Sequence, residues 1–308
     1  MNIIDKKFNS LINEIKSNNL KDIYNHIREK FLSIPINIQN SLEDYFVKFS
    51  YWGKLKKDDN EYEELYNRAK SLKENVEDYI WFYDKLEDYR SKKVLFAILN
   101  NWYNYDFDTL SNSIETNYPH YFDYDILKCD ENEVFVDLGA YTGDTVIDYL
   151  NIYGDYKKIY CYEITDESFN SLKNNLRYYN NIDFRKKAVS DKKGKLYINK
   201  SIVDNSANTV LDSGEDCIDS VSIDEDIEDE VTLIKMDIEG SEQKALMGCR
   251  RHIINEQPKL LISVYHNHED LIKIPVMINN MSDNYKYYLR YYGNNIFPTE
   301  IVLLAIPK

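Results

Sequence analysis

Two short stretches concentrate the residue types that can do chemistry. In the first, the apolar run 134–136 ends at Asp137 and opens into Gly139, Ala140, Tyr141, Thr142, Gly143, Asp144 and Thr145. After it, Val146, Ile147 and Leu150 recur at helical spacing. Strand, glycine loop and helix in that order open an α/β sheet whose ligands sit beyond the carboxyl ends of the strands. Gly139 and Gly143 allow turn geometry and a close backbone approach. An acid at the strand end suits a cation or an amine better than a phosphate. Tyr141 also stands where the dinucleotide fingerprint needs a bare glycine. In the second stretch, Lys235-Met236-Asp237-Ile238-Glu239-Gly240-Ser241-Glu242, an apolar strand delivers three carboxylates around a glycine turn and into a helix. Asp237 is a candidate base and Glu239 a candidate for orienting an acceptor. Glu242 fits equally well the simpler role of an acid favouring a helix N-terminus.

Other positions fall into place around these two. Glu163 ends the apolar strand 159–162, twenty positions after Gly143, where an acid accepts hydrogen bonds from ribose hydroxyls. His266 ends the strand at 260–265 and is a second candidate base, whereas His268 reads as surface or helix cap. A nucleotide-dependent sugar epimerase or reductase is the rival enzyme reading. It is disfavoured by Tyr141 and by the lack of a well-placed Tyr-x-x-x-Lys: Tyr66/Lys70 precedes the glycine loop, and Tyr153/Lys157 spans Gly154. A ligand-binding protein without catalysis is the third reading. No metal site is assigned.

Asp-x-Gly-x-x-x-Gly resembles the first motif of class I S-adenosylmethionine-dependent methyltransferases. Taken with Lys-Met-Asp-Ile-Glu-Gly-Ser-Glu, it strongly resembles the FkbM family of methyltransferases. The resemblance extends to 121–123 before the first strand, 187–191, 258–266 and 288–292, and so covers about residues 118–308. It implies a class I, Rossmann-like fold, S-adenosylmethionine as cofactor, and O-methylation of a sugar, a glycan or a small metabolite. In that frame the cofactor set is Asp137, Gly139 to Thr145, Glu163, Ile164, Ala188 and Asp237. The catalytic set is Asp237, His266 and Glu239, with Tyr121, Phe122 and Arg290 on the substrate side. Fold alone does not fix the acceptor.

The rest of the chain must position these residues. Its 308 residues allow two domains with real cores. Residues 1–117 read as helices: Phe8, Leu11, Ile12 and Ile15 form one stripe, continued by Ile23, Ile27 and Phe31. Ser41 is expected to cap the helix bearing Leu42 and Phe46, and a long helical pattern runs from Leu65 to Tyr83. Trp81, Phe82, Tyr83 and Trp102 are expected to cover the acceptor side of the crevice or to make a homo-oligomer contact. Residues 118–308 alternate strands and helices, predicting a doubly wound, mostly parallel sheet with an antiparallel closing strand. Within it, 195–224 reads only as extended segments around a polar loop. A formal charge of −15 argues against nucleic acid and anionic lipid as partners. The four widely spaced cysteines read as free thiols, mostly buried, in a reducing compartment. With no signal-peptide pattern and no span-length apolar run, a cytoplasmic protein is expected.

Overall fold

The structure is a computed structural model that describes residues 1–49, 52–199 and 208–308. The chain packs as two compact units. One comprises Met1–Thr116, Val264–Val276 and Lys286–Leu303, and the other Asn117–Ser263, Met277–Tyr285 and Leu304–Lys308.

The first unit begins with helices α1 (Ile3–Ser17), α2 (Leu20–Ser33) and α3 (Ile36–Lys48). The short antiparallel pair β1 (Leu55–Lys56) and β2 (Glu61–Tyr62) follows, then α4 (Glu63–Glu74), α5 (Val76–Lys85), α6 (Tyr89–Asn104) and α7 (Phe107–Ser111). Asn2, Asn19, Asp88 and Asp106 each cap a helix start by accepting a backbone N–H. The stripe at Phe8, Leu11, Ile12 and Ile15 is buried, as are Ile23, Ile27 and Phe31. Ser41 is not a cap. Pro35 starts α3, and Ser41 lies inside it with its hydroxyl on the Asn37 carbonyl, the local bond that serine makes within a helix. The long pattern from Leu65 to Tyr83 breaks at Asn75, whose side chain takes the Ser71 carbonyl and leaves two helices, α4 and α5.

The aromatic residues of this unit form its own core. Phe8 stacks on Tyr83 at 3.8 Å, and Trp52 meets Trp102 edge-on at 5.9 Å. Late segments of the chain complete it. Trp52 donates its indole N–H to the Tyr265 carbonyl at 2.6 Å, and the Ser71 hydroxyl donates to the His268 carbonyl at 3.0 Å. His268 is buried, against expectation, because a buried Arg68–Glu64 ion pair at 2.5 Å gives its ring a partner at 3.3 Å.

The second unit carries the strand–helix alternation. Its elements are β3 (Val134–Leu138), α8 (Asp144–Tyr153), β4 (Lys158–Tyr162), α9 (Asp166–Asn175), β5 (Ile182–Arg185), β6 (Ala188–Val189), β7 (Gly194–Asn199), β8 (Thr209–Leu211) and β9 (Cys217–Val221). They continue with α10 (Ile223–Asp226), β10 (Leu233–Met236), α11 (Glu242–Gly248), α12 (Arg250–Asn255) and β11 (Lys259–Ser263). Last in the chain come α13 (Asp270–Met281), β12 (Tyr285–Tyr291) and β13 (Ile301–Pro307), each with residues in both units. The seven-stranded sheet has the order β12-β13-β11-β10-β3-β4-β5, with β11, β10, β3, β4 and β5 parallel in succession. Every residue of β3 and β10 is buried, as central parallel strands covered on both faces require. This is the mostly parallel arrangement expected from the sequence.

Segment 188–221 departs from that expectation. Its strands leave the main sheet and pair as a separate four-stranded sheet of order β6-β9-β7-β8, and Ile223 begins a helix where an extended residue was expected. Among the described residues Cys161 and Cys249 are buried free thiols, Cys129 is half-buried and Cys217 exposed. No helix of the described residues is long and apolar enough to cross a membrane.

A chain starting at Tyr118 would leave Tyr265 and His268 without Trp52, Ser71 and the Arg68–Glu64 pair. Its circular-dichroism melt is expected to lose the cooperative transition of the full chain. A sharp transition at an unchanged midpoint would show that the late segments hold without the helices.

Candidate active site

The site is built where two loops leave neighbouring parallel strands. After β3 the chain turns through Gly139, at φ 78°, where a Cβ would lie 1.8 Å from the Asp237 carbonyl oxygen. Only glycine fits so close to the second loop. The Gly139 and Ala140 amides both donate to the Tyr162 carbonyl, at 3.1 and 2.9 Å, and tie the first loop to the end of β4. Tyr141 follows at φ 44°, an uncommon conformation for a non-glycine residue. Its amide donates to Glu163 Oε2 at 3.1 Å.

A buried ion pair lies beneath this loop. Lys235 Nζ sits 3.2 Å from Asp137 Oδ1 and donates to the Gly139 carbonyl at 2.8 Å. Burial pushes the Asp137 carboxyl up to about 6, with the Lys235 ammonium pulling the other way. Burial likewise works against the Lys235 charge, but Asp137 and Asp237 outweigh it and hold the ammonium above the ordinary lysine value.

The second loop follows β10. Asp237 is half-buried, Glu239 takes φ 54° and Gly240 φ 94°. Glu242 is buried and accepts the Ile238 amide at 2.9 Å, closing the turn. The Tyr121 hydroxyl donates to Asp237 Oδ2 at 2.6 Å. Glu163 accepts the Ile164 and Thr165 amides on Oε1, each at 2.9 Å, and the Thr165 hydroxyl at 3.0 Å. Burial raises its pKa above the usual glutamate value while these donors pull it down.

Between the loops lies a cleft. Of the residues expected around a ligand, Gly139, Tyr141, Glu163, Ile164, Ala188 and Asp237 line it, together with Glu239. The sequence did not single out Tyr162, Lys187, Asn208, Val210, Ile238 and Ser241, which line it too. Tyr162, Ile238 and Ser241 adjoin motif residues, whereas Asn208 and Val210 enter with the four-stranded sheet and had no signal of their own.

Several expected residues do not line the cleft. Asp137 is fully buried on Lys235, not open to a ligand. Ala140, Thr142, Gly143, Asp144 and Thr145 shape the loop and start α8 without lining the cleft. Phe122 is core, its ring 6.1 Å from Tyr149 and 6.2 Å from Tyr153. Arg290, in the first unit, is buried with its guanidinium on Asp88, Ser91 and the Leu289 carbonyl, the work of a brace more than of a substrate contact. His266 also belongs to the first unit, fully buried with its ring against Tyr265 at 4.3 Å.

A family model described as the methyltransferase FkbM domain matches residues 137–295, more than half of the chain. The chain belongs to the FkbM methyltransferase family. The cofactor of the family is S-adenosylmethionine, as the resemblance of the two motifs implies. The FkbM methyltransferase of Methylobacillus flagellatus KT superposes with a TM-score of 0.66 at 25% identity, over 78% of this chain and 62% of that one. The present chain therefore spans less than two thirds of that relative. An rRNA methylase from Streptococcus thermophilus (12% identity, TM-score 0.38, 58% and 88% covered) is also similar. So is Aeropyrum pernix fibrillarin with natively bound S-adenosyl-L-methionine (13%, 0.37, 57% and 67%). No functionally curated protein matches the sequence.

Because a methyl at position 139 would overlap a backbone carbonyl, which cannot rotate away as a side chain can, Gly139→Ala should displace the second loop. A fall in thermal midpoint of at least several degrees is expected, the scale of ~1–3 kcal/mol for overpacking. Scanning calorimetry checks it, and an unchanged midpoint would mean the loops are not in contact.

Proposed function

We propose that this FkbM-family chain transfers a methyl group from S-adenosylmethionine to a hydroxyl oxygen of a sugar, a glycan or a small metabolite. The observation that carries the reading is the cleft itself, lined by three carboxylates and a residue of the glycine loop. Glu163, bonded to the Tyr141 amide, lines it with Asp237 and Glu239 of the second loop. Glu163 Oε2 accepts only the Tyr141 amide in the bonds described. A carboxylate oxygen can take a second donor, so a ribose hydroxyl fits there. Asp237 and Glu239 suit the positive end of the donor, which carries a sulfonium and an ammonium.

The donor, when bound, supplies a methyl carbon activated by an adjacent positive sulfur. The protein then has to hold an acceptor oxygen in line with that carbon and receive the hydroxyl proton. Asp237 is the proton acceptor in this scheme: the new oxygen–carbon bond forms as the carbon–sulfur bond breaks, and the proton passes to its carboxylate. Glu239, on its left-handed turn, orients the acceptor. His266 remains a second candidate for the proton.

Two variants separate binding from chemistry. Glu163→Ala should lose about 1.5–3 kcal/mol of S-adenosylmethionine affinity by isothermal titration, the worth of hydrogen bonds to a charged group. Asp237→Asn should keep that affinity within about tenfold. Its transfer of labelled methyl to a panel of monosaccharides and oligosaccharides should fall about 10²-fold or more. Labelled product methylated on nitrogen or carbon would sink the hydroxyl assignment, and full activity in Asp237→Asn would remove it as the base.

A further inference from the structure

Tyr121 does not line the cleft, yet it is held tightly against Asp237, which does. It sits at φ 69° with 4% of its surface exposed. The His120 ring stacks on it at 4.1 Å with 8° between the planes, and Lys235 Nζ lies 5.3 Å from its ring centroid. Its hydroxyl meets Asp237 Oδ2 at 2.6 Å and the fully buried Ser263 Oγ at 3.0 Å. A non-glycine residue kept in a left-handed conformation by so many contacts stores strain that the surroundings must offset.

The proton directions follow from the donor inventory. An ionised carboxylate only accepts, and a tyrosine hydroxyl has one proton to give. Tyr121 therefore donates to Asp237, and Ser263 donates to Tyr121. Ser263 ends β11 and Asp237 follows β10, so the chain of bonds runs across the ends of two neighbouring strands.

From this geometry we infer that Tyr121 and Ser263 are positioning residues that fix the Asp237 carboxylate and stabilise its ionised form. The inference rests on the reading of Asp237 as a cleft carboxylate that meets the donor's positive end. Other charged and titratable groups also bear on Asp237. Lys235, on β10, favours the anion and Asp137, at the β3 end, disfavours it, while Glu239 and Glu242 lie on the same turn. His120 adds no charge at neutral pH, since burial pushes its pKa down to about 4. Against a field that mixes both signs, the Tyr121 hydrogen bond is a specific, removable contribution.

The test needs no acceptor. S-adenosylmethionine is a sulfonium cation and S-adenosylhomocysteine its uncharged thioether counterpart, so the ratio of their affinities reads the charge of the cleft carboxylates. Titration calorimetry of both ligands across pH should show the preference for the cation fading as pH falls. In Tyr121→Phe the fading should move to higher pH by about one unit or more, the effect of losing one hydrogen bond to a carboxylate. Ser263→Ala should move it less and in the same direction. Tyr121→Phe/Asp237→Asn should superimpose on Asp237→Asn. A purely structural Tyr121 would lower the thermal midpoint and leave the pH profile in place, which would overturn the inference. So would a shift that survives in the Asp237→Asn background, or no shift in a folded Ser263→Ala. Methyl transfer by Asp237→Asn bears separately on whether that residue is the base, so the two assignments fail independently.

Discussion

The site depends on one steric fact: the first loop passes the second with no room for a side chain. At Gly139 the backbone lies against the Asp237 carbonyl, closer than any Cβ permits. That contact brings the ends of β3 and β10 together, so the carboxylates of the second loop and the amides of the first border the same space. The bonds to the Tyr162 carbonyl then fix the angle at which the first loop leaves the sheet. Close packing of backbone on backbone is rigid, because neither partner has a rotamer to change.

Below the loops, Asp137 and Lys235 serve this geometry rather than the ligand. A buried ion pair contributes little net stability, because desolvation offsets most of the attraction. Its value lies in direction: Lys235 spends one donor on Asp137 and another on the Gly139 carbonyl, and its charge is felt by Asp237. Asp137 is thus needed at the strand end for the cation beneath the loop, which explains an acid there without assigning it a ligand.

Much of this was legible in the sequence. Periodicity gave the helices and the central parallel strands, because burial on one stripe or on both faces leaves a regular apolar pattern. Glu163, Asp237 and Glu239 were legible because strand ends in such sheets face the crevice. What was hidden depended on contacts distant in sequence. The fate of Asp137 turns on Lys235, and the brace at Arg290 turns on Asp88 and Ser91. The four-stranded sheet was hidden for another reason. Its strands are short and largely exposed or half-buried, so they carry no strong alternation, and β6 has only two residues. The helix bounds at Pro35 and Asn75 were hidden because a proline sets the first and a side-chain bond to the Ser71 carbonyl accompanies the second.

Three non-glycine residues around the cleft hold left-handed backbone: Tyr121, Tyr141 and Glu239. Each would relax if replaced by asparagine or glycine, which adopt that conformation at lower cost. On the proposed function, positions open to stabilisation are therefore among those the chemistry would miss. Selection of variants for heat resistance alone would drift toward a sturdier protein with an empty repertoire, a trade between endurance and activity written into the backbone.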